Sequence, residues 1–448
     1  MKTNLPLTVI EDYLIRDDSV AYPMDCVRLL HFSGLLQKEL ISRSFAEILC
    51  RHPMLRSRVE KQGSYYFWVP AENPPEIFWK NQDEDPECLN ETGFPILTPF
   101  NLKKEAGFRL YVVESEKENC TKLLFQFHHS STDGTGEMQV LAEFMTIYAR
   151  ELGTISPETE LPELAPDNLP LRAQLGWTWK NYLRNIFSSG IYRQLLVWKF
   201  AQPLFPIKAV SSETPPVNYP FILSLQLTSE ETQTYLQKSQ AQNVTLNDLL
   251  LRDFYVTVQT WRKQNLKGEL PPGNVRINVP INLRQPFHKN LPAVNIFSSY
   301  FIDRSVRQID SDPQWLLQSI HREMDEVKNR DLKYVFPRVL TFAYYFPGLL
   351  EIFLHSGSCR STGVLSNLKR VFTDVPVPRN SEGKIQLGPC VLESVDAAPP
   401  IRSKTMISIS ALTYADRLRL CFRCDDHFLT VPAIQQFINL FKEQMELS

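Results

Sequence analysis

The chain has 448 residues, of which 43% are hydrophobic and 22% charged, a balance that excludes disorder as the main state and leaves room for one to three domains. Its 48 Lys and Arg stand against 50 Asp and Glu for a formal net charge of -2, so no large basic surface is required and nucleic acid is a poor default partner. Gly is scarce at 16 and Pro plentiful at 32, which excludes collagen-like and Gly-rich repeat architectures.

In chain order, the first residues carry one Lys and a short apolar run broken by Glu11 and Asp12. This is not a signal peptide, and the chain is expected to be cytoplasmic. Residues 37–51 place Leu40, Ile41, Phe45, Ile48 and Leu49 at helical spacing, with Pro53 as the stop. Residues 122–129 alternate as a strand, and 135–150 return to helical spacing through Met138, Leu141, Ala142, Met145 and Tyr148. Two Pro-rich stretches, 156–170 and 203–220, then flank an aromatic, basic segment at 171–201. They predict a crossover over 156–220, carrying a helix of its own, between lobes at 1–155 and 221–448.

The second lobe opens with a strand over 221–227. Thr245 and Asp248 form a capping-box-like helix start, and the helix is expected to run to Trp261. Val275, Ile277, Val279, Ile281 and Leu283 alternate without a miss, which predicts a half-buried strand. Asp312 and Pro313 open a further helix. The longest apolar region, 334–354, contains Pro337, Arg338, Pro347 and Glu351. It predicts a core helix pair rather than a membrane span, with an acyl-chain channel wall or membrane-surface patch as the alternative. A hairpin over 407–425, turning near 414–416, and a final helix capped by Thr430 complete the chain. Strands mixed with helices in both halves predict α/β or α+β layers.

Eight cysteines are too few for a disulfide scaffold in a chain of this length. Cys421 and Cys424 lie three apart in a predicted strand, so their side chains point to opposite faces and cannot share a metal. No metal site and no nucleotide phosphate cradle is predicted, and the serine-hydrolase elbow G-x-S-x-G is absent.

The most informative segment is Phe127-His128-His129-Ser130-Ser131-Thr132-Asp133-Gly134, a strand ending in two histidines, then a turn and a helix. Adjacent strand residues face opposite ways, so only one of the histidines can line a given cavity. A neutral imidazole at a strand end suits a general base near pH 7. Asp133 is placed to orient the loop or neutralise a buried Arg, and Gly134 suits a positive φ or a close approach.

These residues resemble the H-H-x-x-x-D-G motif of the chloramphenicol-acetyltransferase-like superfamily, which includes condensation domains, polyketide-associated acyltransferases and alcohol acetyltransferases. Further segments match in order: Arg51-His52-Pro53-Met54-Leu55-Arg56, Thr245-Leu246-Asn247-Asp248, Asn282-Leu283-Arg284, Leu365-Ser366-Asn367-Leu368 and the terminal strand with Phe422 to Asp425. The D-F-G-W-G motif of plant acyltransferases is absent, and a standalone acyltransferase leads over an embedded condensation domain.

The resemblance implies two similar α/β lobes forming a V-shaped pseudo-dimer with a central channel. It implies acyl transfer from acyl-CoA or a carrier-protein phosphopantetheine thioester to a small-molecule hydroxyl or amine, with O-acyl favoured over N-acyl transfer and no resident cofactor. His129 is then the general base, and His128 a packed histidine. Asp133 and Gly134 are structural, with Asp133 paired to Arg56 or Arg284, between which the sequence does not choose. Ser366 or Asn367 is the candidate oxyanion or substrate donor. The expected state is a monomer. Amide formation from a carrier-bound donor and a catalytically silent binding protein are the alternatives.

Overall fold

The computed structural model describes residues 4–63, 65–176, 201–208, 210–267, 273–346, 348–355 and 358–447. Two six-stranded sheets dominate it. The first is centred on Cys120–His128, which lies antiparallel between Asp25–Ser33 and Phe108–Ser115. Alternation along this strand sends Leu123, Phe125 and Phe127 into one apolar cluster, with Ile41, Phe45 and Ile48 of the helix Lys38–Arg51 and Leu141, Phe144 and Met145 of the helix Gly134–Glu151. Leu124, of opposite parity, joins a separate cluster with Val27 and Tyr111. A period-2 strand flanked by helices on one face produces this partition directly.

The second sheet runs Phe297–Ser305, Asn274–Asn282, Gly363–Arg370, Ile407–Tyr414, Arg417–Cys424 and Ile222–Gln226. Gly363–Arg370 is parallel to both of its neighbours, so its end delivers residues 366–370 to one end of the sheet. The capped helix Leu246–Asn265 and the terminal helix Val431–Leu447 pack against this sheet through Leu250, Phe254, Phe437 and Phe441. The hairpin between Ile407–Tyr414 and Arg417–Cys424 turns through Ala415 and Asp416, both at positive φ, as a two-residue turn between twisted strands requires. Cys421 and Cys424 fall in different apolar clusters on the two faces of their strand.

Two features differ from the expectations, and a third lies outside the described residues. The stretch 221–448 is not one uninterrupted lobe: Cys390–Ala398 leaves it and pairs along Asp25–Ser33, extending the first sheet. That pairing covers an edge of backbone N–H and C=O groups that would otherwise stand open. Phe372, Leu412 and Tyr414 also pack into the first lobe's core. The apolar region near 334–354 forms the helices Val335–Tyr345 and Leu349–His355. Phe336, Leu340 and Ala343 are buried, but Phe342 is 59% and Tyr345 74% exposed, so this is a one-sided rather than a core pair. The helix expected within 171–201 lies largely outside the described residues. The preceding part of the crossover is tied down by Arg172, which donates to Glu11 across 2.8 Å in a buried ion pair. Among the described residues no helix is long and apolar enough to cross a membrane.

Candidate active site

The strand Cys120–His128 ends where the two lobes meet. The backbone N–H of His128 donates to Gly107 and that of His129 to Met24, so strand pairing continues through both histidines and fixes their opposite orientations. His128 is fully buried, its Nδ1 accepting from the Ser130 backbone N–H and lying 2.7 Å from the Ser130 hydroxyl. Nε2 then carries the proton and faces Asp18 at 3.7 Å. This is a packed histidine with its lone pair already engaged.

His129 points the other way and is half-buried. Its ring stacks on Phe297 of the second lobe, centroids 4.9 Å apart and planes 15° from parallel. Nδ1 lies 3.3 Å from the Thr132 carbonyl oxygen. A carbonyl only accepts, so this contact assigns the proton to Nδ1 and leaves the Nε2 lone pair available. Burial pushes the imidazole down to about 4, only partly offset by the Thr132 carbonyl and Asp133. The resting ring is therefore neutral at pH 7.

The loop that presents His129 is clamped by one segment of the second lobe. Ala293 N–H donates to His52 Nδ1 at 3.0 Å. The Asn295 side-chain amide donates to the His129 carbonyl. Ile296 N–H donates to Asp133 Oδ2 at 2.7 Å, and Phe297 supplies the stacking ring. Asp133 is the hub. Its Oδ1 caps the helix Gly134–Glu151 by accepting from Thr135 and Gly136 N–H, and its Oδ2 receives Arg284 Nη1 at 2.8 Å. Burial alone raises such a carboxyl, but the Arg284 guanidinium and the backbone donors outweigh it and hold Asp133 below the usual range. Arg284 also donates to the Val294 carbonyl of its own lobe, which fixes the guanidinium as it reaches across to Asp133.

Of the two arginines that the sequence left open, Arg284 thus sits on Asp133. Arg56 is exposed and lines a separate surface cleft with Cys50 and Glu72. Its neighbours in the same motif turn inward: His52 is buried between Ala293 and Glu143, which also takes Arg51 at 2.5 Å. Gly134 serves a close approach and not a positive φ: a Cβ there would stand 2.9 Å from Leu368 Cδ2 of the second lobe. Ser366 and Asn367 lie on Gly363–Arg370 beside that same Leu368. Asn367 spends its Oδ1 on the Lys369 N–H and lines a crevice of ≈890 Å³ with Gly134, Thr135 and Asn282. A second crevice of ≈300 Å³, lined by Ile10, Arg172, Asn295 and Tyr334, reaches the loop through Asn295.

Sequence reasoning missed four neighbours of His129: Arg28, Glu137, Asn295 and Phe297. Glu137 follows Asp133 by one helical turn, and Arg28 interrupts an apolar strand, so both left a local signal. Asn295 and Phe297 left none, because their role depends on packing across more than 160 residues of chain.

A family model for the condensation domain matches residues 14–163, and one for the WS/DGAT C-terminal domain matches residues 294–447. Two uncharacterized proteins of Mycobacterium tuberculosis are each 22% identical over 312 residues, 67% of this chain. The chain spans 66% of those relatives' length. Among solved structures, polyketide synthase associated protein 5 of Mycobacterium tuberculosis superposes with a TM-score of 0.65 at 15% identity over 100% of both chains. Trichothecene 15-O-acetyltransferase of Fusarium sporotrichioides gives 0.67 at 12% identity, covering 97% of this chain and 93% of that one. A starter condensation domain of rhizomide synthetase in complex with C8-CoA gives 0.65 at 11% identity, covering 100% and 95%. These likenesses establish a shared two-lobed α/β fold.

Proposed function

We propose that this chain, whose halves match the family models for the condensation domain and the WS/DGAT C-terminal domain, is an acyltransferase of the chloramphenicol-acetyltransferase-like kind, and that it moves an acyl group from a thioester donor to a hydroxyl or amine acceptor with His129 as general base. The observation that carries this reading is the engaged Nδ1 of His129, which leaves a neutral Nε2 lone pair at the meeting of the lobes. In the proposed step Nε2 takes the proton of the acceptor O–H or N–H as the acceptor atom bonds to the thioester carbonyl carbon. The tetrahedral oxyanion collapses, the C–S bond breaks, and the leaving sulfur receives the proton from the imidazolium. General-base assistance of this kind contributes about 10²–10⁴-fold. Ser366 or Asn367 is proposed as the oxyanion donor; Asn367 Oδ1 accepts from the Lys369 N–H, which leaves its Nδ2 amide as the donating group beside the crevice with Gly134 and Thr135.

The donor is acyl-CoA or a carrier-bound thioester, consistent with C8-CoA held by a neighbour of this fold. O-acyl transfer is favoured by the likeness to an O-acetyltransferase. Amide formation from a carrier-bound donor is the second reading, favoured by the condensation-domain match over 14–163. Arg284, Asp133, Gly134 and His128 are proposed to hold the loop rather than to react. The protein is proposed to act as a monomer, organised as the lobes 1–155 and 221–448 around the crossover 156–220, with Cys390–Ala398 lent to the first sheet.

The test is incubation with acyl-CoAs and carrier-bound acyl thioesters of graded length, with alcohol and amine acceptors, following free thiol and product mass. Acceptor-dependent thiol release with an ester product supports the first reading. Release only from the carrier-bound donor with an amide product supports the second, and release from neither with every acceptor class refutes both.

A further inference from the structure

A base depressed to about 4 is neutral at pH 7 but a weak proton acceptor, so its surroundings must favour the imidazolium as it forms. Besides Asp133, which already favours the charged ring, the described residues place a second acidic group close to it. Glu137, on the first turn of the helix Gly134–Glu151, is fully buried. Its carboxylate, the Cys26 thiol and a ring nitrogen of His129 lie within 4.8 Å of one another. Arg28, itself buried on the strand Asp25–Ser33, forms an ion pair with Glu137 Oε2 through Nη2 and fixes its own position by donating Nη1 to the Val27 and Ala398 carbonyls. Neither Glu137 oxygen has a hydrogen-bond partner of good geometry among the described residues. A buried carboxylate held by one ion pair and short of well-aligned donors is costly and is retained where its charge has a use.

We propose that Glu137, held by Arg28, is a positioning residue whose ionised carboxylate stabilises the His129 imidazolium during transfer. The proposal rests on the reading of His129 as the base and adds a second ionisable group to that site. The groups facing Glu137 are Arg28 and Cys26 from the neighbouring strand, Asp133 from the helix start and His129 from the loop; Arg423 acts on Cys26 from the second sheet. Burial raises the Glu137 carboxyl to about 7, against the pull of Arg28. Protonated Glu137 gives His129 no electrostatic help; ionised Glu137 does. Activity therefore rises with pH through about 7 rather than through the value of His129 itself. Opposite charges at this separation with an effective dielectric near 20 interact strongly, but the Arg28 charge also acts on His129 in the opposing sense. The net effect is expected at about 10-fold in turnover.

The experiment titrates the labelled histidine ring nitrogens of the wild-type protein by NMR and, in parallel, measures turnover against pH for wild type, Glu137→Gln, Glu137→Asp and the double variant Arg28→Met/Glu137→Gln. The double variant removes both charges together and avoids a stranded guanidinium. The expected result is a His129 response near pH 7 in wild type that vanishes in both variants lacking the carboxylate. Their turnover falls about 10-fold and loses its limb near pH 7, and Glu137→Asp restores part of both. A His129 signal that does not respond between pH 6 and 8, or a folded Glu137→Gln with wild-type turnover and pH profile, overturns the proposal while leaving His129 as base. Absence of acyl transfer in wild type, with the NMR coupling intact, would instead count against the functional reading.

Discussion

Replacing Asp133 with Ala removes four acceptor contacts at once. Loss of the helix cap to Thr135 and Gly136 N–H costs about 1 kcal/mol. The Ile296 N–H, which donates to Oδ2 at 2.7 Å in the interior, is left unsatisfied at about 1–3 kcal/mol. Arg284 loses its charge partner, a change worth about 3–5 kcal/mol for a fully buried pair. Its side chain is 20% accessible and it keeps the Val294 carbonyl, so the lower end applies. The contacts share one carboxylate and do not add fully, and the expected total is about 4–6 kcal/mol. That is a large part of the stability of an ordinary domain. Turnover should fall with it, because the same contacts clamp the His129 loop. Urea denaturation followed by circular dichroism measures the change, with Asp133→Asn alongside as a variant that keeps one cap acceptor and loses less. Unfolding within 1 kcal/mol of wild type, coupled to complete loss of turnover, would refute the reasoning and place the carboxylate in the chemistry itself.

Arg284→Ala strands the Asp133 carboxylate and is expected to cost about 3 kcal/mol, whereas exposed Arg56→Ala should stay within about 0.5 kcal/mol; parallel thermal melts separate them. Gly136→Ala would bring a Cβ within 3.2 Å of the backbone at Ala293 and Val294 and within 2.2 Å of Thr132 Oγ1, so about 1–3 kcal/mol is expected to be lost. Gly134→Ala meets the flexible end of Leu368 at 2.9 Å and the Arg28 guanidinium at an ordinary 3.6 Å and should melt closer to wild type. Cys26→Ser leaves the Glu137–Arg28 pair intact and should change turnover less than Glu137→Gln does, as initial rates at pH 8 will report.

Local pattern carried much of this fold. The alternation of Val275 to Leu283 and the helical spacing of Met138 to Tyr148 correspond to the strand Asn274–Asn282 and the helix Gly134–Glu151, because one face of each is buried in a single core. The excursion of Cys390–Ala398 into the first sheet was not legible: its partner strand lies more than 350 residues away, and alternation says that a strand is half-buried without saying against what. The choice between Arg56 and Arg284 failed for a similar reason. Both follow a break in regular structure, and only the short turn Pro53–Arg56 determines that Met54 and Leu55 point in and Arg56 out. Buried Glu137 and Arg28 were passed over because charged residues usually mark solvent faces. Their burial is affordable only as a pair, and that pairing is a tertiary fact.

Turnover by His129→Ala, measured under saturating donor and acceptor beside a thermal melt of the same preparation, tests the general-base role most directly. Among the described residues His129 forms no ion pair, and its Nδ1 contact with Thr132 is long at 3.3 Å. The variant should therefore melt near wild type while turnover falls by about two to four orders of magnitude. A folded His129→Ala protein that transfers acyl groups at the wild-type rate would contradict the central claim.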